Sequence, residues 1–391
     1  MSKIKLLFVV YDFYQAGAQR FAYEIDKSID RNRFHIEILC LEKKTFLDKV
    51  WNERHYESLH QKIGTKITYI DEFLENQSQP LFLRIFHKIT RNKFKKIKPK
   101  FKTNFPLFFD RFDVVHWMGE YTYIHSLPIR IRQKSLISIM CAKFQVPNLY
   151  AEFDFGYPYN FTSGFKQIEV DYEFNQFTKI NHIYFPLVMK IYQKEKHWFY
   201  KDTKIYKIGI FTRLSSYKPL DPFFYSFQLL LEKLPNCELH VYGNGDPEKE
   251  GMIRSLQRIG LQEKVFFRGH QESIYKTATA EHINLSWFQG YNNDRPAGYA
   301  GFDICSTGTP LICWDFFDKP NDYFNETYPH YKNMTQFVSK SIEILTEEKA
   351  ANLLSELQFQ DILMNTDIDK HIEKLENEYL AISRNGLTSL K

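Results

Sequence analysis

Short apolar runs alternate along this chain with longer segments in which apolar residues recur at helical spacing. In the first half, apolar runs predict strands at Leu6–Val10, Phe34–Leu41, Lys66–Tyr69, Asp113–His116 and Asn148–Glu152. Helical spacing predicts helices at Ala16–Ile29 and Leu136–Phe144, whereas Tyr157–Asn175 lacks periodicity and is interpreted as a loop. Strands separated by helices favour a parallel, doubly wound sheet.

The alternation of predicted strands and helices resumes near Tyr206 and continues through the second half. Strands are predicted at Ile208–Phe211, Glu238–Tyr242, Val265–Phe267, Ile283–Ser286 and Leu311–Trp314. Helices are predicted at Pro222–Leu234, Glu248–Ile259, Ser273–Thr279, Gly301–Thr307, Thr335–Leu345 and Asp367–Ser383. We therefore predict an α/β protein with two doubly wound domains, residues 1–200 and 201–366, and a C-terminal helix over 367–391.

Composition is compatible with two globular domains and narrows the function only a little. A chain of 391 residues is too long for one ordinary core, and 43% hydrophobic residues can fill two. The net charge of +5 is too small to indicate nucleic-acid binding. The five cysteines are scattered and odd in number, which is typical of buried thiols in a reducing compartment rather than of disulfides or a zinc site.

The amino terminus resembles a signal peptide only superficially. Lys3 and Lys5 precede the apolar run Leu6–Val10, but this run is short and Asp12 follows it closely. Along the sequence, no stretch approaches the roughly 20 apolar residues that span a bilayer. We therefore expect a cytoplasmic protein.

In the second half, three predicted strands each lead into a cationic or glycine-rich loop. Arg213 and Lys218 follow the first strand, Gly243-Asn244-Gly245 follows the second, and a Gly/Asn/Pro loop that ends in Gly301–Pro310 follows the third. The carboxyl ends of parallel strands meet at one edge of the sheet, where such loops bind phosphorylated ligands. The pattern predicts a phosphate-binding site at this edge.

The order of these motifs resembles that of a large family of retaining glycosyltransferases with two Rossmann-like domains facing a central cleft (the GT-B type, similar to the bacterial family-4 or "group 1" enzymes). The segment FVVYDFYQAGAQR, Phe8–Arg20, is similar to the family's first strand and "GGAQR"-like turn. The segment IGIFTRLSSYKPLD, Ile208–Asp221, resembles its "GRL…KG.D" element but departs from it at Thr212 and Pro219. The likeness is strongest over Ile208–Pro310.

The resemblance implies which residues contact the donor. Gly17 would let the backbone N–H groups at a helix start approach the donor diphosphate or the acceptor. Arg213 and Lys218 would neutralise the charge of the diphosphate. The loops HVYGNGDPEKE and VFFRGHQESIY resemble family loops that border the nucleotide. In them, Gly243 and Gly245 would leave room for the nucleotide, and Gly269 and His270 would lie beside the base or ribose. Ordinary turns would also explain these glycines.

The loop Ser286–Pro310 carries the family's acidic motif in altered form. Counting back from Gly308 and Pro310 places Asp303 where the resembled family has its second glutamate, the ribose ligand. The first glutamate is missing: its place falls on Arg295, or on Gln289-Gly290 if six residues are inserted. Arg295 would contact the diphosphate or an acidic sugar, and Gly298 belongs to the same donor-binding loop. The alternative to a donor-binding loop is a loop that faces solvent and whose sequence has changed without a functional constraint.

One residue at the end of the fourth predicted strand and one just after it are candidates for contact with the sugar or the acceptor hydroxyl. His116 ends that strand and would hydrogen-bond the sugar, and Glu120 would accept a proton. A lone histidine is also commonly structural. Glu152 and Asp154 imitate a metal-holding acid pair, although simple alternation at a strand end explains them better.

The segment Leu81–Phe105 contains nine Lys and Arg residues and no acid, with apolar residues between them. A basic amphipathic stretch suits the anionic inner face of a membrane, where each cation contributes about 1 kcal/mol. We predict that this segment contacts the membrane or the acceptor, with a solvated loop over the acceptor cleft as the alternative. The cations nearest its centre are Lys93, Lys95, Lys96 and Lys98.

Together, the residues and the resemblance imply a glycosyltransferase of bacterial surface polysaccharide synthesis, such as lipopolysaccharide or capsule. It would move a sugar from a nucleoside-diphosphate donor to a saccharide or lipid-linked acceptor, without a metal or other cofactor, in the cytoplasm or peripherally on the plasma membrane. A catalytically silent partner of another transferase is the main alternative, and an epimerase or hydrolase is a third. The sequence determines neither the base, the sugar, the acceptor, the linkage nor the oligomeric state.

Overall fold

The computed structural model describes residues 2–47, 53–74, 101–119, 123–124, 127–139, 159–163, 180–192, 204–215, 218–290, 298–315 and 327–388. Those up to 192 form a first lobe, and those from 204 to 366 form a second. Each lobe contains one parallel sheet with helices against it.

The first lobe contains a seven-stranded sheet in the order β3-β2-β1-β4-β5-β6-β7. Its strands are β1 Ile4–Val10, β2 Phe34–Cys40, β3 Lys66–Tyr69, β4 Val114–Met118, β5 Ser135–Ile139, β6 Tyr159–Ser163 and β7 Ile180–Tyr184. Its helices are α1 Gly17–Ser28, α2 His55–Lys62, α3 Asn104–Asp110 and α4 Ile129–Gln133, with a 3-10 turn at Ile70–Phe73. All of its strand pairs are parallel, and the order reverses between β1 and β4, which places a crevice at their carboxyl ends.

The second lobe repeats this plan with a six-stranded sheet in the order β10-β9-β8-β11-β12-β13. Its strands are β8 Tyr206–Phe211, β9 Cys237–Tyr242, β10 Val265–Gly269, β11 Leu285–Gly290, β12 Leu311–Asp315 and β13 His330–Tyr331. Its helices are α5 Asp221–Lys233, α6 Met252–Ile259, α7 Ile274–Ala280, α8 Gly298–Thr307, α9 Met334–Thr346 and α10 Glu348–Asn365. The order reverses between β8 and β11, so a second crevice opens there.

The last helix, α11 Ile368–Thr388, lies against the first lobe. Glu376 accepts hydrogen bonds from the Asp30 amide and from Arg33 Nη1, both at 2.8 Å. The Tyr379 hydroxyl lies 2.7 Å from His116 Nδ1. Such polar contacts, of which the one between Tyr379 and His116 is buried, fix the position of a helix more specifically than apolar packing does.

The buried apolar side chains of the described residues form three clusters. One lies behind the first sheet and one behind the second, each confined to its own lobe. The third includes side chains from both, such as Phe21 of α1, Phe302 of α8 and Tyr379 of α11. The lobes therefore share an apolar interior.

Two sequence predictions for the first lobe are wrong. The segment predicted as the helix Leu136–Phe144 contains β5, whose Leu136 and Ile137 are fully buried. A short strand buried on both faces and a buried helix give the same apolar run. The predicted loop Tyr157–Asn175 contains β6, in which Thr162 is buried and hydrogen-bonded to Ser138. Polar residues within this strand hide the apolar pattern by which strands are predicted. The predicted strand Asn148–Glu152 and Asp154 lie outside the described residues.

Candidate active site

The loops after β8, β9 and β10 hold one another at the carboxyl edge of the second sheet. Three backbone hydrogen bonds join them: Thr212 N to Tyr242 O at 2.9 Å, Leu214 N to Asn244 O at 2.8 Å, and Gly243 N to Gly269 O at 2.9 Å. The loops that follow β8, β9 and β10 therefore form one surface. This surface carries Arg213.

Gly243 and Gly245 lie where the β9 loop packs closely against the β8 loop. A Cβ on Gly243, which has φ +152°, would lie 1.8 Å from the Thr212 carbonyl oxygen. A Cβ on Gly245 would lie 2.6 Å from the carbonyl oxygen of Leu214. The missing side chains therefore let the β9 loop approach the β8 loop.

Arg213 and Lys218 are both exposed on the loop that follows β8. The Lys218 amide donates to Ser215 O at 2.9 Å, which closes a turn. Gln289, at the end of β11, donates through Nε2 to Pro219 O at 2.7 Å. The cationic loop is therefore held between the end of β11 on one side and the β9 loop on the other.

Asp303 lies on α8 and forms an ion pair with Arg20, which belongs to α1 of the other lobe. Arg20 Nη1 donates to Asp303 Oδ2 at 2.6 Å, and Nη2 donates to Oδ1 at 2.8 Å. The side chains are only 21% and 9% exposed. Although burial opposes its charge, the Asp303 carboxylate keeps the pKa of Arg20 above its usual value. The guanidinium therefore stays charged, and its planar fork fixes the carboxylate.

Further contacts join the lobes around this pair. Gln15 Oε1 lies 2.6 Å from His270 Nε2, and Gln15 Nε2 donates to the Glu272 carbonyl at 3.2 Å. Gly17 begins α1, and a Cβ on it would lie 3.7 Å from the ring of Tyr299. Predicted donor residues of both lobes, Gly17, His270 and Asp303, thus lie along the junction between the lobes.

Gly269 and Gly298 both have a positive φ, one at the end of a strand and the other at the start of a helix. Gly269 ends β10 with φ +70°, directly before His270, and Gly298 begins α8 with φ +48°. A Cβ on either would meet no atom of the described residues within 4 Å, and the positive φ itself favours glycine there.

His116 lies elsewhere than predicted. The strand β4 continues to Met118, so His116 is in mid-strand and fully buried. Its Nδ1 is 2.7 Å from the Tyr379 hydroxyl and its Nε2 is 2.7 Å from Ser138 Oγ. Burial lowers the pKa of His116 to about 3. Both nitrogens already have protein partners, so we assign His116 a structural role instead of contact with the sugar.

Several predicted residues lie outside the described part of the chain, namely Glu120, Arg295, Lys93, Lys95, Lys96 and Lys98. Within the described part, no group of three or more His, Cys, Asp or Glu side chains could hold a metal ion. Sequence reasoning missed the roles of Gln15 and Arg20. Both lie in or beside the "AGAQR" turn, but nothing in that turn indicates that their partners lie about 250 residues or more away.

Comparison with known proteins gives one relative among curated sequences. Over 166 residues, the chain is 25% identical to a poly(glycerol-phosphate) alpha-glucosyltransferase of Bacillus subtilis (strain 168). The match spans 40% of this chain and 23% of that protein, so the chain covers less than a quarter of this relative. No family model matches the chain.

Solved structures match almost the whole chain. Anabaena HepE in complex with UDP and glucose has a TM-score of 0.63 and 11% identity, covering 97% of this chain and 100% of that one. S. aureus TarM in complex with fondaparinux, alpha-GlcNAc-glycerol and UDP has a TM-score of 0.66 and 12% identity, covering 97% and 99%. The lipopolysaccharide outer core galactosyltransferase WaaB has a TM-score of 0.53 and 12% identity, covering 99% and 100%. The fold of this chain is therefore that of the GT-B glycosyltransferases.

Proposed function

We propose that the protein transfers a sugar from a nucleoside-diphosphate sugar to a saccharide or lipid-linked acceptor, with retention of the anomeric configuration. The observation that carries this proposal is the loop surface of the second lobe, where Arg213 and Lys218 follow β8 beside the β9 and β10 loops. Loops at the carboxyl ends of parallel strands bind phosphorylated ligands in this class of sheet. The names of the matched proteins add support, since two of the complexes contain UDP and the curated relative is a glucosyltransferase.

The chemistry of the transfer explains why this surface is cationic. When the bond between the anomeric carbon and the diphosphate breaks, the electron pair and its negative charge stay on the diphosphate. Arg213 offers a planar fork to phosphate oxygens, and Lys218 offers a compact charge. We propose that these two residues neutralise the leaving group without a metal ion. Asp303 would hold the ribose of the same donor.

We further propose that the acceptor is a cell-surface polysaccharide or its lipid-linked precursor. The curated relative acts on poly(glycerol-phosphate), and WaaB is named for the lipopolysaccharide outer core. In the described residues, no helix is long and apolar enough to cross a membrane. The basic segment Leu81–Phe105 would bring the protein to an anionic surface. Vesicles containing phosphatidylserine should then sediment the protein, and replacing Lys93, Lys95, Lys96 and Lys98 by Gln should abolish this at physiological salt.

Calorimetric titration with nucleoside diphosphates and their sugars tests the activity. We expect at least one diphosphate to bind and Arg213→Ala to weaken it about tenfold or more, because a charge-assisted hydrogen bond is lost. Arg254→Ala, which removes an exposed cation from α6 of the same lobe, is the matched control. Transfer to an acceptor should continue in EDTA.

Other outcomes would favour the alternatives. If no nucleotide binds, and Arg213→Ala is indistinguishable from the parent, the protein is a silent partner of another transferase. A donor that is consumed equally fast with and without an acceptor would indicate a hydrolase or an epimerase.

A further inference from the structure

We infer that Arg20 is a positioning residue for the nucleotide donor: from the first lobe, it orients Asp303 of the second lobe toward the ribose hydroxyls. This inference rests on the proposed function, in which Asp303 stands at the ribose-binding position of the resembled family. Arg20 itself touches neither the sugar nor the diphosphate in this arrangement. It acts through the carboxylate.

The ion pair leaves hydrogen-bonding capacity on the Asp303 carboxylate for a diol. Arg20 meets Asp303 with both of its terminal nitrogens, one on each carboxylate oxygen, at 2.6 and 2.8 Å. A carboxylate has about four lone-pair sites, so this fork leaves one on each oxygen. The 2′ and 3′ hydroxyls of a ribose are two adjacent donors that can use these remaining sites. The ion pair and the ribose are therefore compatible.

Arg20 is held in place before any ligand arrives. Its guanidinium carbon lies 4.7 Å from the centre of the Tyr299 ring, and its Nε lies 3.4 Å from Glu24 Oε1. The Tyr299 hydroxyl in turn donates to the Val188 carbonyl of the first lobe at 2.9 Å. The guanidinium thus contacts Tyr299 with its face and Glu24 with its edge, and these contacts preorganise it for Asp303.

The position of Arg20 makes recognition of the ribose depend on both lobes. Its Cα belongs to α1 of the first lobe, whereas Asp303 belongs to α8 of the second lobe. The carboxylate is oriented only when the two helices are as close as they are here. Recognition of the ribose is therefore coupled to the approach of the two lobes, so the first lobe contributes to the donor affinity.

The test compares nucleotides that differ only in the ribose hydroxyls. UDP, ADP and GDP are each titrated beside their 2′,3′-dideoxy analogues. We expect the parent protein to bind the preferred nucleotide about tenfold or more tightly than its dideoxy analogue, because the hydroxyls donate to a charged acceptor. In Arg20→Met this ratio should fall to about threefold or less, as it should in Asp303→Asn.

Two further variants and a kinetic measurement exclude a merely structural effect. Lys27→Met removes an exposed cation from the last turn of α1 and should keep the full ratio. Arg20→Met/Asp303→Asn removes both charges, so it leaves no unpaired carboxylate, and should show the same ratio as Asp303→Asn alone. In transfer assays, Arg20→Met should raise the KM for the donor and leave kcat nearly unchanged, because the ribose contact is the same in the ground and transition states.

Three results would overturn the inference. A folded Arg20→Met that keeps the ratio of the parent would do so while leaving the glycosyltransferase proposal intact. Tighter binding of the intact nucleotide to Arg20→Met would show that Arg20 competes with the ribose for Asp303. If none of the three diphosphates binds the parent protein, the proposed function fails first and the inference fails with it.

Discussion

His116 illustrates how a buried residue can give stability that depends on pH. Burial lowers its pKa from 6.5 to about 3, so the folded protein keeps it neutral where the unfolded chain is already protonated. Because the unfolded state binds the extra proton, stability falls as the pH drops from about 6.5 toward 3. Per pH unit below 6.5, the free energy of unfolding should fall by up to about 1.4 kcal/mol through this residue. Urea denaturation between pH 7.5 and 5 measures the change.

A comparison with His116→Asn isolates this contribution. The other histidines titrate in both proteins, so the difference in pH dependence between the two proteins belongs to His116. We expect the advantage of the parent to shrink as the pH falls; parallel pH dependences would contradict the argument. If the variant does not fold, NMR of the parent is sufficient, since its His116 signals should not titrate above pH 4.

Single residues were predictable where they stand in a local motif and unpredictable where their partners are distant. The cluster of the β8, β9 and β10 loops follows from the order of the strands in a parallel sheet, so the sequence places Arg213 and Gly243 on one edge. The pairing of Arg20 with Asp303 spans 283 positions, and no local spacing encodes it. His116 was misplaced because β4 runs two residues further than its apolar run suggested.

The sequence predicted some elements closely and missed others. The strand Lys66–Tyr69 was predicted to the residue, and α1 and α5 were predicted within one residue at each end. The 18-residue helix α10 was missed, and its buried positions include the polar residues Ser355 and Gln358. Gln358 is buried because its side-chain amide pairs with both backbone groups of Leu311, at 2.9 and 2.7 Å. A polar residue with a tertiary role breaks the pattern on which prediction depends.

For the molecule as a whole, the closed arrangement of the lobes has both an apolar and a polar basis. One apolar cluster continues from the first lobe into the second, and burial of such surface supplies most of the attraction. The polar contacts around it determine the register of the two lobes: Arg20 with Asp303, Tyr299 with Val188, and Gln15 with His270. The apolar contacts thus hold the lobes together, and the polar contacts fix how they are placed relative to each other.

The contact between Gln15 and His270 lies at the exposed edge of this junction and should limit its local opening. His270→Ala removes a 2.6 Å hydrogen bond, which contributes about 1 kcal/mol, so the segment 12–16 should open about fivefold more often. Amide hydrogen exchange of that segment, followed by mass spectrometry, measures this. Gln271→Ala is the matched control, because Gln271 donates to Arg268 O within its own lobe. Equal exchange in the two variants would show that the contact does not hold the lobes together.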